Sequence, residues 1–507
     1  MAVKIYSATF TGINGTIVNV EVDISLGLPV FNIVGLGDMS VRESKERVRA
    51  AITNSGFEFP AKRITVNLAP ADLKKEGSLF DLPIALGILI ATGQVYAGDT
   101  EDFIFMGELS LFGELKRIKG ALPIVIEGIN QGVNKFVVPM ENAEECAAIK
   151  KANIYPMNNI NEVTNFIKYR DMMPYEPLEK NNIKEYAIDF EDIIGQESCK
   201  RAVEVAACGG HNILLYGPPG CGKSMIAKRI PTILPKLNYE EALEVTKIYS
   251  ISGNLAESKG LIKERPFRNP HHTSTKVSLV GGGINLMPGE ISLAHNGVLF
   301  LDEILEYKKS VLEVLRQPLE DRVIKICRSS GSIDYPANFM LVGAMNPCSC
   351  GFYGSKEREC TCTEYDRKRY INKMSGPMLD RIDIFSPVNS LSYKEINEKH
   401  KKRETSYNIR FRVEKAREIQ KERFKGQGIY CNAQMNEKLI KKYCSLNSKA
   451  RNMIKKIFEK YNLSTRSYSR ILKVSRSIAD LNEKEFISEI DVFEALQYRK
   501  YIDEKII

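Results

Sequence analysis

The stretch LLYGPPGCGKS, residues 214–224, constrains this 507-residue chain more than any other. Gly217, Gly220, Gly222, Lys223 and Ser224 fill the pattern G-x-x-x-x-G-K-S/T, directly after the apolar run NILLY and before MIAKRI. A glycine-rich loop between a buried strand and a helix lets backbone N–H groups turn inward around phosphates. The loop Gly217, Pro218, Pro219, Gly220, Cys221, Gly222, Lys223 and Ser224 is therefore the predicted nucleotide cradle, with Lys223 on the β/γ oxygens and Ser224 as a Mg²⁺ ligand. ATP and Mg²⁺ are the implied cofactors.

Such a loop requires an acidic partner. GVLFLDEI (297–304) supplies a buried strand ending in Asp302, which can hold the metal through water, and Glu303, which can polarise the attacking water. A third apolar run, NFMLVGAMNP (338–347), ends at Asn346. Its amide either orients that water or touches the γ-phosphate, unless it merely caps the next turn. DFEDIIGQE (189–197) precedes the first strand and suits an adenine-side wall. Buried strands alternating with helices from Asp189 to about Val388 predict a parallel-sheet α/β domain, with bounds near 188–390.

The flanking regions differ in pattern. Residues 1–168 mix β-rich runs such as ITVNLA (64–69) and KFVVP (135–139) with the helical pattern SVRESKERVRAAITNSG (40–56), which predicts an α+β domain. Residues 169–187, with two prolines, paired asparagines and many charges, predict a linker. Residues 391–507 are almost wholly helical in pattern and predict a lid. The net charge of +9 is concentrated there: residues 401–507 hold 26 Lys and Arg against 14 Asp and Glu. That excess suits a polyanion partner, although solvated helix faces also produce it. The N-terminus lacks a signal-peptide pattern and no run approaches 18 apolar residues, so the expectation is a cytoplasmic protein without a membrane partner. Its 11 cysteines are then reduced thiols.

Four of those thiols are tightly spaced. In CSCGFYGSKERECTC, Cys348, Cys350, Cys360 and Cys362 form two C-x-C pairs. They can surround Zn²⁺ as a structural knuckle, with redox chemistry or unbound thiols as the alternatives. A catalytic zinc is excluded by four protein ligands, which leave no open position. His271 and His272 are adjacent, and neighbouring histidines seldom chelate together, so a turn role is expected.

The segments RNPHHTSTKVSLVGGG (268–283), PGEISLAHNGVLFLDEI (288–304), LRQPLED (315–321), AMNPCSCG (344–351) and SGPMLDRIDI (375–384) resemble the magnesium-chelatase-like branch of the AAA+ ATPases. Within it they resemble the YifB/ComM family, over nearly the whole chain. The resemblance implies that Arg381 is an arginine finger offered to a neighbouring subunit, which requires a ring, commonly a hexamer. It implies that Arg466 is the lid arginine of sensor 2, with Arg470 as an alternative. Guanidinium forks suit both roles because they stabilise charge on a transferring phosphoryl group. Lys325 and Arg328, near the tip of a hairpin predicted in DRVIKICRSSGSIDYPANF, and Lys276, in the polar insertion 271–284, then fall on elements that project into a ring's pore and can hold DNA phosphates. The family's activity implies an ATP-driven branch-migration helicase acting in recombination and natural transformation; the alternative is a chelatase-motor-like ATPase that remodels a protein partner.

A third reading, an ATP-dependent protease, arises from KKEGSLFDLPIAL (74–86), which resembles the serine turn of the Lon proteolytic (S5-like) domain. GELSLFGELKRIKGALPIVIEGI (107–129) resembles its lysine segment. Leu79 and Leu122 occupy the places where the nucleophile and the lysine are expected, with Ser78 one position away. Leucine can neither attack a carbonyl nor take a proton, so the domain is expected to be inactive as a protease. Asp81 is expected to cap the helix that follows.

Overall fold

The computed structural model describes residues 2–499 apart from 74, 76, 97, 178–186, 256–259, 284, 329–330, 355–357, 394, 396–402 and 462. Nine of the 19 residues of the predicted linker, 178–186, therefore lie outside the described residues. The chain divides into two compact units, Met1–Asn182 with Tyr239–Ile262, and Ile183–Asn238 with Lys263–Ile507.

The first unit is α+β. Its strands are β1 (Val3–Thr11), β2 (Asn14–Ser25), β3 (Val30–Val34), β4 (Arg63–Ala69), β5 (Phe103–Phe105), the short hairpin β6 (Glu108–Leu109) and β7 (Leu115–Lys116), β8 (Lys135–Pro139) and β9 (Asn153–Met157). Seven of them form one mixed sheet in the order β3-β4-β2-β1-β5-β8-β9. Alternating residues of β2, such as Val18, Val20 and Val22, are fully buried, as expected of a sheet with one face on the core. Against it lie α1 (Met39–Asn54), α2 (Asp81–Ala91), which is apolar after its first residue, α3 (Ala121–Asn130), α4 (Ala143–Cys146) and α5 (Ile160–Tyr169).

The turn before α2 is a packing device. Leu79 is 3% exposed and Leu122 is fully buried, each burial worth about 2 kcal/mol. Ser78 donates its hydroxyl proton to Glu108. Asp81 departs from its expected role: it is the first residue of α2, makes no cap bond, and is fully buried. Its carboxylate accepts from Arg47 Nε at 2.7 Å, from the Ser44 hydroxyl and from the Leu109 amide at 3.2 Å. Burial opposes ionisation of Asp81, and these donors work against that penalty.

The excursion 239–262 completes this unit. After α6 (Glu197–Gly209), β10 (Ile213–Tyr216) and α7 (Lys223–Ile233) of the second unit, α8 (Tyr239–Ser252) packs on α3. The Gly120 amide donates to the Ser250 carbonyl at 3.2 Å, and Tyr239 donates to the Ala148 carbonyl at 3.1 Å.

The second unit is α/β. It holds β11 (Phe267–Arg268), the ribbon β12 (Gly281–Gly282) and β13 (Met287–Pro288), β14 (Val298–Leu301), the hairpin β15 (Val323–Arg328) and β16 (Gly331–Pro336), β17 (Met340–Met345) and β18 (Ile384–Pro387). A fully parallel sheet runs β11-β14-β17-β10-β18. Its strands are near-continuous apolar runs, because helices cover both faces of a parallel sheet. The helical C-terminal region contributes Ser406–Arg423, Glu437–Tyr443, Ser448–Tyr461, Thr465–Leu481 and Glu489–Gln497, and the first of these packs on α6 and α7. No helix among the described residues is long and apolar enough to cross a membrane.

Removing the Asp81 carboxylate leaves the Arg47 guanidinium, the Ser44 hydroxyl and the Leu109 amide without their acceptor. Asp81→Ala is expected to destabilise the first unit by about 3 kcal/mol in urea unfolding, whereas Ser78→Ala, on the half-buried rim of the turn, shifts it far less.

Candidate nucleotide and subunit-interface sites

Register brings the three strand ends together. Tyr216 pairs with Met345 on one side and with Pro387 on the other, and Leu301 pairs with Gly343. Each strand therefore releases its next residues, Gly217, Asn346 and Asp302, at one edge of the sheet, the place where open parallel sheets bind ligands. Gly217 is required by close approach: a Cβ there would lie 2.0 Å from the Val388 carbonyl oxygen. Gly222, at φ 96°, is the N-cap of α7.

The polar side chains meet across strands. Lys223 Nζ donates to the carbonyls of Gly217 and Pro218, each at 2.7 Å, and to Asn346 Oδ1 at 3.1 Å. Ser224 Oγ donates to Asp302 Oδ2 at 2.7 Å. Glu303 is exposed at the tip of β14, in the left-handed region at φ 48°. Burial lowers the pKa of Lys223, while Cys221, Asp302 and Glu303 support its charge. A hydroxyl and a carboxylate side by side are hard oxygen donors suited to Mg²⁺, so the residues present fit that ion. Asn346 is thus beside the lysine, and a turn cap is not its described contact.

The two arginines are elsewhere. Arg381 is 7% exposed and held by its own unit: it donates to the carbonyls of Arg316 at 3.0 Å and Pro377 at 2.6 Å, and pairs with Glu320 at 2.6 Å. Arg466 is exposed and lines a cavity of about 520 Å³ with Arg381, Asp383, Arg470 and Lys473. No residue of the P-loop lines that cavity.

Asp383, two residues past Arg381, was not singled out by sequence although it lies in the same LDRID motif. Burial disfavours its ionised form, but the His211 ring 3.4 Å away and the Arg470 guanidinium at 3.1 Å outweigh that and hold it well below the usual carboxylate range. From His211 a buried chain continues through Ser477 (2.8 Å) and Asn432 (3.0 Å) to Asp480 (2.7 Å), which Arg423 and Arg476 neutralise. This chain ties the Arg381 loop to the C-terminal helices.

Of the basic candidates, Lys276 and Lys325 line a second cavity with Arg381, also of about 520 Å³. Arg328 is exposed beside the hairpin turn, whose residues 329–330 lie outside the described residues. The hairpin is fastened to the 281–288 ribbon by Tyr335, which donates to the Leu286 carbonyl at 3.0 Å. His271 and Thr273 bond within their own turn at 2.8 Å, and the His272 ring lies against that of His271.

The four cysteines converge. Their Sγ atoms all lie within 4.8 Å of one another, the one such metal-competent group among the described residues. None of the 11 cysteines is in a disulfide.

Comparison with known proteins fits this architecture. Models described as "Magnesium chelatase, subunit ChlI", "Subunit ChlI of Mg-chelatase" and "Magnesium chelatase, subunit ChlI C-terminal" match residues 189–396, 20–142 and 403–499. Competence protein ComM of Haemophilus influenzae is 42% identical over 506 residues, 98% of this chain and 97% of its own length. The chain belongs to the YifB/ComM family of magnesium-chelatase-like AAA+ proteins. YifB of Salmonella typhimurium is 41% identical over 98% of this chain and 96% of its own. Lon protease 2 of Bacillus subtilis is 27% identical over 240 residues, which cover 42% of this chain and 39% of its own, in keeping with the Lon-like character of the N-terminal region. Membership in this family makes the chain an ATPase of the AAA+ type, which uses ATP and Mg²⁺.

Asp383 gives a pH signature. Its depressed pKa contributes stability above the unfolded value near about 3.9 that is lost as pH falls through and below it. Asp383→Asn should lower the thermal midpoint of the second unit at pH 7, and the gap from the unmodified chain should start to narrow only below about pH 4 and keep shrinking at every lower pH.

Proposed function

We propose that the chain is an ATP-driven ring motor that acts on branched DNA as a branch-migration helicase in recombination and natural transformation. The observation that carries the reading is the separation of Arg381 and Arg466 from the P-loop: they line a cavity of their own. Arginines so placed serve the nucleotide of an adjoining subunit, which calls for a ring such as a hexamer.

Within one site, Ser224 and Asp302 would hold Mg²⁺, which neutralises charge on the phosphate oxygens. Lys223 holds the β/γ oxygens, Glu303 orients and deprotonates the attacking water, and Asn346 fixes that water or the γ-phosphate. The exposure of Glu303 leaves room for the water beside it. In the ring, Arg381 must exchange its Glu320 partner for phosphate, a swap that couples neighbouring subunits.

DNA as the substrate is supported by the basic excess in residues 401–507 and by the competence-protein relative. Lys276, Lys325 and Arg328 would hold phosphates without reading bases, so binding is salt-sensitive and independent of sequence. The first unit acts as a structural or receiving domain: buried Leu79 and Leu122 support the absence of proteolysis. The four cysteines hold a structural zinc, and the unpaired thiols are in keeping with a cytoplasmic location.

ATP turnover should rise several-fold with forked or four-way DNA and fall to background in Lys223→Ala. Turnover indifferent to DNA but raised by a protein partner would favour the remodelling alternative, and ATP-dependent casein cleavage lost in Ser78→Ala would restore the protease reading. Mixing Arg381→Ala subunits with Lys223→Ala subunits, each inactive alone, should restore part of the turnover, since a site with an intact Lys223 can then receive an intact Arg381 from its neighbour.

A further inference from the structure

The thiol group and the P-loop touch. Cys348 Sγ lies 3.3 Å from Cys350 Sγ and 3.7 Å from Cys360 Sγ, and Cys350 Sγ lies 3.6 Å from Cys360 Sγ. A tetrahedron with zinc–sulfur bonds of about 2.3 Å has edges of about 3.8 Å, so these side chains already stand near the corners such an ion demands. Cys348 is fully buried, where an uncoordinated thiolate would be costly. Arg367 fixes the far end of the loop by donating to the Cys362 carbonyl at 3.0 Å.

The same loop reaches the nucleotide cradle at two points. Gly351 has φ 86°, and a Cβ there would lie 2.8 Å from Cδ of Pro219, in the exposed tip of the P-loop. At its other end Cys348 follows Asn346 by two residues, and Asn346 accepts from Lys223 at 3.1 Å. One short loop therefore abuts both the tip of the P-loop and the partner of its lysine. The P-loop presents backbone N–H groups, and their affinity for phosphate depends on the backbone being held in one conformation beforehand.

We infer that one zinc ion on Cys348, Cys350, Cys360 and Cys362 turns this loop into a clamp on the P-loop, so that nucleotide affinity depends on the metal. The inference rests on the zinc reading given above. It adds that the metal acts on ATP binding and not merely on the local fold. The ion remains a structural one: four thiolates close its coordination, and the effect passes through Gly351 against Pro219 and through Asn346.

The test uses the full chain, measuring zinc by elemental analysis, nucleotide affinity with a fluorescent ATP analogue, and helical content by circular dichroism. The expected result is about one zinc per chain, lost in the Cys360→Ser, Cys362→Ser double variant. Nucleotide affinity should fall about tenfold, as for a loop competent in about a tenth of molecules, with helical content kept. If the double variant fails to fold, removal of zinc from the unmodified chain by a chelator, followed by zinc chloride, decides the matter: affinity must fall and recover. Zinc that binds and leaves without changing affinity overturns the clamp while leaving the metal site standing. A chain that holds no zinc as purified and takes up none from zinc chloride overturns both.

Discussion

Parallel pairing of β10 between β17 and β18 is the constraint on which the chemistry of this protein depends. It aligns Tyr216 with Met345 and Pro387, so that the following residues leave the sheet at one edge. The Lys223–Asn346 and Ser224–Asp302 contacts exist because of that alignment. A one-residue slip would turn every buried side chain of β10 to the opposite face and dissolve the group. Helices on both faces make such a slip costly, which is how an apolar sheet fixes the position of polar groups at its rim.

Much of this was legible in the sequence because the signals are local. Gly217, Gly222 and Lys223 announce a loop between strand and helix, and GVLFLDEI and NFMLVGAMN are buried strands that end in polar residues. The SSG hairpin and the C-x-C pairs are likewise short-range features, and the structure forms the hairpin and draws the four thiols together. What the sequence hides is long-range. Nothing in the pattern of residues 239–262 shows that they pack with the first unit, since the apolar face of α8 would suit any core. Asp81 looks like a helix cap because capping is local; its partner Arg47 lies 34 positions earlier in the chain. The Glu320 partner of Arg381 is hidden for the same reason.

The two units express different uses of buried charge. In the first, Asp81 and Arg47 stabilise a turn whose Lon-like counterparts carry a nucleophile, and leucines fill the neighbouring positions. In the second, the Asp383–His211–Ser477–Asn432–Asp480 chain runs from beside Arg381 into the C-terminal helices. The hydrogen-bonded part of this chain, from the far side of the His211 ring to Asp480, is buried and holds its members in fixed positions.

The most direct measurement is migration of a synthetic four-way DNA junction by the purified chain, followed on a native gel. The account predicts resolution of the junction into duplex products with ATP and Mg²⁺, none with ADP, and none with ATP for Glu303→Gln. A chain that hydrolyses ATP briskly yet leaves the junction intact would contradict it.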